Sequence, residues 1–163
     1  MKRRFVLAVL ALACVTGCRA RNQSEDGVDA GGPDVAVDTA AGQGYLAVQA
    51  RRCSQCHQSP DPSAGVLSGQ DTPVPGTLAY GSNLTPDPDT GLDLPDAGVI
   101  AASILQAMAL DGGSLCPAMP AYVDAGMGPA EALDIAAYLQ GLTPVWHPVP
   151  SSSCAAGSAG DGG

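Results

Sequence analysis

An all-α domain is the fold class this sequence predicts: three to four short helices around one central group, joined by long proline- and glycine-rich loops. Three observations lead there. Several stretches carry the helical spacing of apolar residues, and none carries the two-residue alternation of a half-buried strand. Prolines and glycines crowd residues 59–95, which breaks regular structure over a span long for a bare loop. Large side chains are scarce. Beyond Phe5 the aromatics are Tyr45, Tyr80, Tyr122, Tyr138 and Trp146, so a core built from Ala, Leu and Val is thin for its size. A long loop around a thin core points to a large apolar group at the centre.

The chain opens with Lys2, Arg3 and Arg4, followed by an apolar run from Phe5 to Thr16, too short to span a bilayer. Residues 1–17 therefore read as an export signal. Its end, Val15-Thr16-Gly17-Cys18, resembles a bacterial lipobox, which would make Cys18 the lipidated first residue of the mature chain. Cys14, after Ala11-Leu12-Ala13, fits that pattern less well, and an ordinary soluble export signal is the alternative. The expected location is the periplasmic side of a bacterial membrane, with acyl chains as the anchor. Losing residues 1–17 removes three basic residues and no acid, taking the formal charge from −9 to −12 and leaving Arg19, Arg21, Arg51 and Arg52 without a single lysine. Such a surface excludes nucleic-acid binding, which needs clustered cations, and suits a partner with a basic face. Residues 18–40, acidic and rich in Gly and Ala, read as a flexible tether. The domain is expected over 41–154, with a disordered tail at 155–163.

Within the domain, residues 41–52 predict a helix with Leu46, Ala50 and Cys53 on one face, running directly into the next motif. Residues 96–110 predict a second, with a period set by Val99 or Ile100, Ser103 or Ile104, and Ala107 or Met108, stopped by Asp111-Gly112-Gly113. Residues 116–128 read as loop. Pro129 then opens a last helix with Ile135, Tyr138, Leu139 and Leu142 as its apolar stripe and Glu131, Asp134 and Gln140 towards water; Gly141 and Pro144 end it.

The chemistry concentrates in Cys53-Ser54-Gln55-Cys56-His57. Structural zinc needs four ligands, and Cys116 and Cys154 stand too irregularly to complete an obvious set, though a site of three cysteines and one histidine stays open. A thioredoxin-like dithiol belongs in a βαβ pattern, for which there is no strand signal. Covalent haem attachment requires this spacing: one helical turn aims two sulfurs at the two vinyl groups on one porphyrin edge, and the adjoining His57 faces the iron. Neither alternative requires a histidine directly after the second cysteine. A second axial ligand is expected from Met119, in the proline-stiffened Cys116-Pro117-Ala118-Met119-Pro120, because His and Met are the ligand pair of cytochromes c. Met108, expected within a helix, and Met127, between Gly126 and Gly128 in a flexible spot, are the lesser candidates.

With these residues in place the chain resembles the mono-haem c-type cytochromes of the small class I-like kind. The likeness covers residues 42–145 and rests on the helix before Cys53, the Met119-Pro120 loop and "EALDIAAYLQGL" near the end. It implies a cytochrome c fold with one covalent haem c, Cys53 and Cys56 as thioether anchors, and iron held by His57 and Met119. It also implies a crossing of first and last helices, with Gly42 and Leu46 against Ile135 and Tyr138. More narrowly, "YGSNLTPDPDTGL" at 80–92 and "CPAMPAY" at 116–122 resemble a branch of exported bacterial cytochromes, some of which are electron-transfer domains of membrane-associated dehydrogenases. The sequence departs from that branch after Gly91, where Leu92-Asp93-Leu94 stands in place of an expected Trp.

Cys116 and Cys154, left over in an exported domain, are expected to form a disulfide, with a closure effect of roughly 4 kcal/mol in the chain-entropy picture. Asp87, Asp89 and Asp96 lack the EF-hand spacing and read as turn acids. His147 could ligate a haem but reads as a surface or capping residue. The function these observations predict is single-electron carriage to and from redox partner proteins, with no bond chemistry. The alternatives are a haem enzyme or sensor in which Met119 yields to peroxide or a small gas, and a thiol redox protein using Cys53 and Cys56.

Overall fold

In a computed structural model, residues 36–154 are described, and the readings placed on residues 1–17, Cys14, Cys18, most of the tether and the tail lie outside them. The described chain is all-α: α1 (Ala40–Ala50), α2 (Ser54–His57), α3 (Ala97–Gln106) and α4 (Pro129–Gln140), with one 3-10 turn at Pro62–Ala64. None of these helices is long and apolar enough to cross a membrane.

Helix α1 begins one residue inside the span read as tether. The Thr39 hydroxyl accepts from the Gly42 amide at 3.0 Å and caps the first turn, which otherwise leaves amides without partners. Its buried face is Gly42, Gly44 and Val48; Leu46, placed on the inner face by the sequence, is 45% exposed. The reason is close approach. A Cβ on Gly44 would fall on the Asp134 carbonyl and within 2.8 Å of the Tyr138 Cβ, so α4 lies directly on the α1 backbone. Gly44 therefore makes the contact that had been assigned to Gly42, whose missing Cβ makes room for the lead-in at Ala36 and Val37. Tyr45 meets Tyr138 edge to face, with ring centroids 5.6 Å apart, an arrangement worth about 0.5–1.5 kcal/mol beyond its area.

Helix α1 does not run into the cysteine motif. Arg52 adopts a left-handed conformation (φ 57°) and the Cys53 amide reaches back to the Val48 carbonyl, closing the helix before α2 starts. The second expected helix is likewise shorter. Asp96 caps α3 through the Gly98 amide at 2.7 Å, but Ala107 turns left-handed and Met108 pairs across a tight loop with Ser114. Asp111-Gly112-Gly113 is the tip of that loop and not a helix stop, with Ala109 N–H donating to Gly113 and Leu115 N–H to Ala107. Helix α4 follows its stripe: Ala132, Ile135, Ala136, Tyr138 and Leu139 are buried, and α4 packs on both α1 and α3. Its polar face is engaged where water contact was expected. Glu131 pairs with Arg51, and the Gln140 amide donates to the Pro95 carbonyl at 2.7 Å.

Beyond α4 the chain runs extended back across the 59–95 loop. Asn83 is the hub of this layer. Its side-chain oxygen accepts from the Thr85 amide and hydroxyl, and its amide donates to Thr90 Oγ1 and the Val145 carbonyl. Every polar atom of that side chain has a partner, which its burial demands. The strap continues with Ser152 Oγ accepting from the Tyr80 amide and Ser153 N–H donating to Leu78, and ends in a disulfide from Cys154 to Cys116, Cα atoms 5.2 Å apart.

Candidate functional site

A cavity of about 590 Å³ lies between the helices and the long loop, in the size range of small-molecule and cofactor sites. Its floor is apolar, with Val48 from α1, Ile100 and Ile104 from α3, and Ile135 and Leu139 from α4. Cys53, Cys56, His57 and Met119 all border it.

Helix α2 arrays the first three. Cys56 and His57 amides both donate to the Cys53 carbonyl, winding one turn so that both thiols and the imidazole open to the same cavity. His57 is buried, and its Nδ1 lies 2.8 Å from the Ser82 carbonyl. A carbonyl only accepts, so Nδ1 carries the proton and the lone pair is on Nε2, which no described residue hydrogen-bonds. Burial pushes the imidazole pKa below its ordinary value, against a smaller opposing effect of the Ser82 bond, and keeps it neutral. A neutral imidazole with its outer nitrogen tied to a carbonyl is the arrangement of a metal-ligating histidine. The tie depends on Gly81. A Cβ there would fall on the Cys56 carbonyl and 3.1 Å from the His57 amide, so only glycine lets the Ser82 carbonyl come close enough.

Met119 borders the cavity from the 116–121 turn, its amide donating to the Cys116 carbonyl at 2.8 Å. The other two methionines differ from expectation. Met108 lies outside the helix and is 40% exposed, while Met127, expected to be flexible, is 3% exposed and borders the same cavity. Its amide is held by the Tyr122 carbonyl and its side chain belongs to the core cluster with Ile135 and Leu139. His147 does not border the cavity: Nδ1 meets the Ser68 carbonyl at 2.7 Å and Nε2 the Asp71 carboxylate at 3.1 Å, tying the strap to the loop. Asp87 and Asp96 are turn and cap acceptors. Burial raises the Cys53 thiol pKa, with the neighbouring Cys56 adding to it, so Cys53 stays protonated at neutral pH. Among the described residues no three His, Cys, Asp or Glu side chains converge as a metal set, and Cys116 and Cys154, engaged with each other, cannot join Cys53, Cys56 and His57 in one. The residues that sequence reasoning missed are Gly81 and Ser82; a backbone acceptor leaves no mark on side-chain chemistry.

No family model matches the chain. A curated relative does. Over 112 residues, 68% of this chain, it is 32% identical to a subunit of the nicotinate dehydrogenase of Pseudomonas putida. The chain spans only 9% of that protein's length, so the likeness is to one segment of a much larger polypeptide.

Proposed function

We propose that the protein is a mono-haem c-type cytochrome that carries single electrons, with one haem c joined to Cys53 and Cys56 and iron held by His57 and Met119. The observation that carries this reading is the set of groups around one cavity: two thiols, an imidazole with its lone pair on Nε2, and a thioether. That donor set fits the group. Thiols one helical turn apart supply two attachment points, and the cavity supplies an apolar site of suitable size. Bound there, a haem supplies a one-electron Fe(III)/Fe(II) couple. The chain's own part would be to present the His57 lone pair, to hold its orientation through Ser82, to exclude water with the aliphatic floor, and to keep Met119 at the border of the same cavity.

The relative is named as part of a dehydrogenase, and substrate oxidation there releases electrons that must be passed on. A carrier module in or beside such an enzyme is the place this chain fits. The alternative of a thiol redox protein is less well supported, since a nucleophilic cysteine needs a lowered pKa and burial moves Cys53 the other way. The sequence also supports an exported lipoprotein anchored through Cys18. It supports redox partners with a basic face, because the formal net charge is −9.

Expression in cells that mature c-type haem tests the reading. The purified protein is expected to show sharp ferrous α and β bands, and the colour is expected to stay with the chain after denaturation. A colourless product with Cys53 and Cys56 titrating as thiols would refute it. Cys18→Ala is expected to move the protein to the soluble exported fraction with its spectrum unchanged.

A further inference from the structure

We propose that the Cys116–Cys154 disulfide is a thiol-controlled latch on the sixth ligand: closed, it keeps Met119 on the cavity wall; reduced, it lets the Met119 turn move away and opens the iron to small ligands. This rests on the His57/Met119 reading above.

Three observations carry it. First, the turn has one distant tie. Leu115 N–H is bonded to Ala107, and Tyr122 and Val123 N–H to Ile104 and Leu105. Between them, residues 116–121 hydrogen-bond only within the turn, Met119 N–H to Cys116, and to nearby Asp124, whose N–H donates to Ala121, so the disulfide is their one recorded tie to a distant segment of the described chain. Pro117 and Pro120 narrow the conformations of this turn but fix it to nothing. Second, the far end of the latch is independently seated. The strap has hydrogen bonds of its own to Asn83, Thr90, Tyr80 and Leu78, so opening the disulfide is expected to release the turn without unseating the strap. Third, the bond is reachable. Cys154 is exposed, Cys116 is half-buried, and both border the cavity at the Met119 side.

The reductant is a dithiol. Its thiolate attacks Cys154 Sγ, and Cys116 leaves as a thiolate and takes up a proton. The second thiol of the reductant then displaces Cys154. Two electrons and two protons pass to Cys116 and Cys154, and the dithiol becomes a disulfide. Thioether links at Cys53 and Cys56 are not disulfides and survive this step.

The haem-loaded protein tests the latch, with dithiothreitol as the dithiol and ascorbate reducing the iron. In ascorbate alone the wild type is expected to form no carbon monoxide adduct and, when ferric, to show the far-red band of Met-ligated haem. After dithiothreitol, two thiols are expected to titrate and a carbon monoxide adduct to form, and, once those thiols are alkylated with iodoacetamide, the dithiothreitol removed and the iron reoxidised with ferricyanide, the far-red band is expected to be absent. Cys154→Ser is expected to bind carbon monoxide under both conditions, and exchange of the Met119 amide, bonded to the Cys116 carbonyl, to accelerate in it while the Val145 and His147 amides, bonded to Thr85 and Thr90, stay protected. Two titrating thiols with carbon monoxide still excluded would overturn the latch, as would a bond that dithiothreitol leaves closed in the native protein. Two thiols already titrating before dithiothreitol, with no covalent haem, would instead overturn the cytochrome reading beneath it.

Discussion

The two walls of the cavity are built on different principles. The His57 wall is held by packed backbone: one turn of helix, a glycine that admits a carbonyl, and a buried imidazole bonded to it. The Met119 wall is a proline-framed turn, hydrogen-bonded to α3 and its end at Leu115, Tyr122 and Val123 and cross-linked to the strap by the disulfide. Interiors resist displacement because every atom is in contact on all sides, whereas a turn hydrogen-bonded only at its two ends gains freedom when its cross-link opens. The difference matches what the proposed His57/Met119 pair would ask of the chain. An imidazole bound to metal needs its ring oriented, and a thioether, a weaker ligand, needs its conformational freedom reduced.

The largest effects should come from breaking the His57 wall. Cys53→Ala or Cys56→Ala is expected to leave little haem-loaded protein and an unstable remainder, read as haem absorbance per chain and yield. Gly81→Ala forces a Cβ onto the Cys56 carbonyl and is expected to come close to the same loss, although it alters only the backbone beside Cys56 and His57 and neither of their side chains; wild-type yield and spectrum in this variant would show that the wall is softer than its packing implies.

Next in size is the helix contact beneath the cavity floor, where α4 packs on α1. Gly44→Ala places a methyl group on the Asp134 backbone and is expected to destabilise the domain by about 1–3 kcal/mol in denaturant titration, the range for overpacking. Gly42→Ala presses only on the chain lead-in at Ala36 and Val37, so a smaller loss is expected. Equal losses would remove the distinction between the two glycines.

The Met119 wall sharpens the comparison spectroscopically. Met119→Ala is expected to remove the far-red band and lower the potential with the fold retained. Met127→Leu and Met108→Leu are expected to keep the band. Met127 is the demanding control, because it borders the cavity and differs from Met119 in being fixed within the core.

The smallest effect belongs to the Arg51–Glu131 pair, which bridges the end of α1 to the first turn of α4 at 2.8 Å. The Arg51 guanidinium, through its hydrogen bond and charge, holds the Glu131 carboxyl below the usual carboxylate range. The stabilisation is thus present above the ordinary glutamate pKa and is lost as pH falls through the depressed folded value. Glu131→Gln is expected to lower the melting temperature slightly at neutral pH and to remove that part of the acid-side loss; added salt should shrink the difference between the two proteins.

By itself the sequence determined what depends on neighbours along the chain. The Cys53 to His57 spacing, the all-α class, the Pro129 start and stripe of α4, and the non-helical character of 59–95 are set by residues a few positions apart, whose periodicity or turn chemistry is visible in order. The tertiary structure decided what depends on distant backbone. Helix α1 buries the face with the least side chain, Gly42 and Gly44 beside Val48, because α4 needs room at Gly44 and the lead-in at Ala36 and Val37 needs it at Gly42; hydrophobic spacing had pointed to Leu46, since it gives no weight to a missing side chain. The early ends of α1 and α3 turn on the left-handed Arg52 and Ala107, residues with no stop signal of their own. Met127 is rigid because it meets Ile135 and Leu139, although glycines flank it. Ser82 sets the His57 tautomer through a carbonyl that every residue type possesses, so only the fold, by bringing Gly81 against the Cys56 turn, could select it.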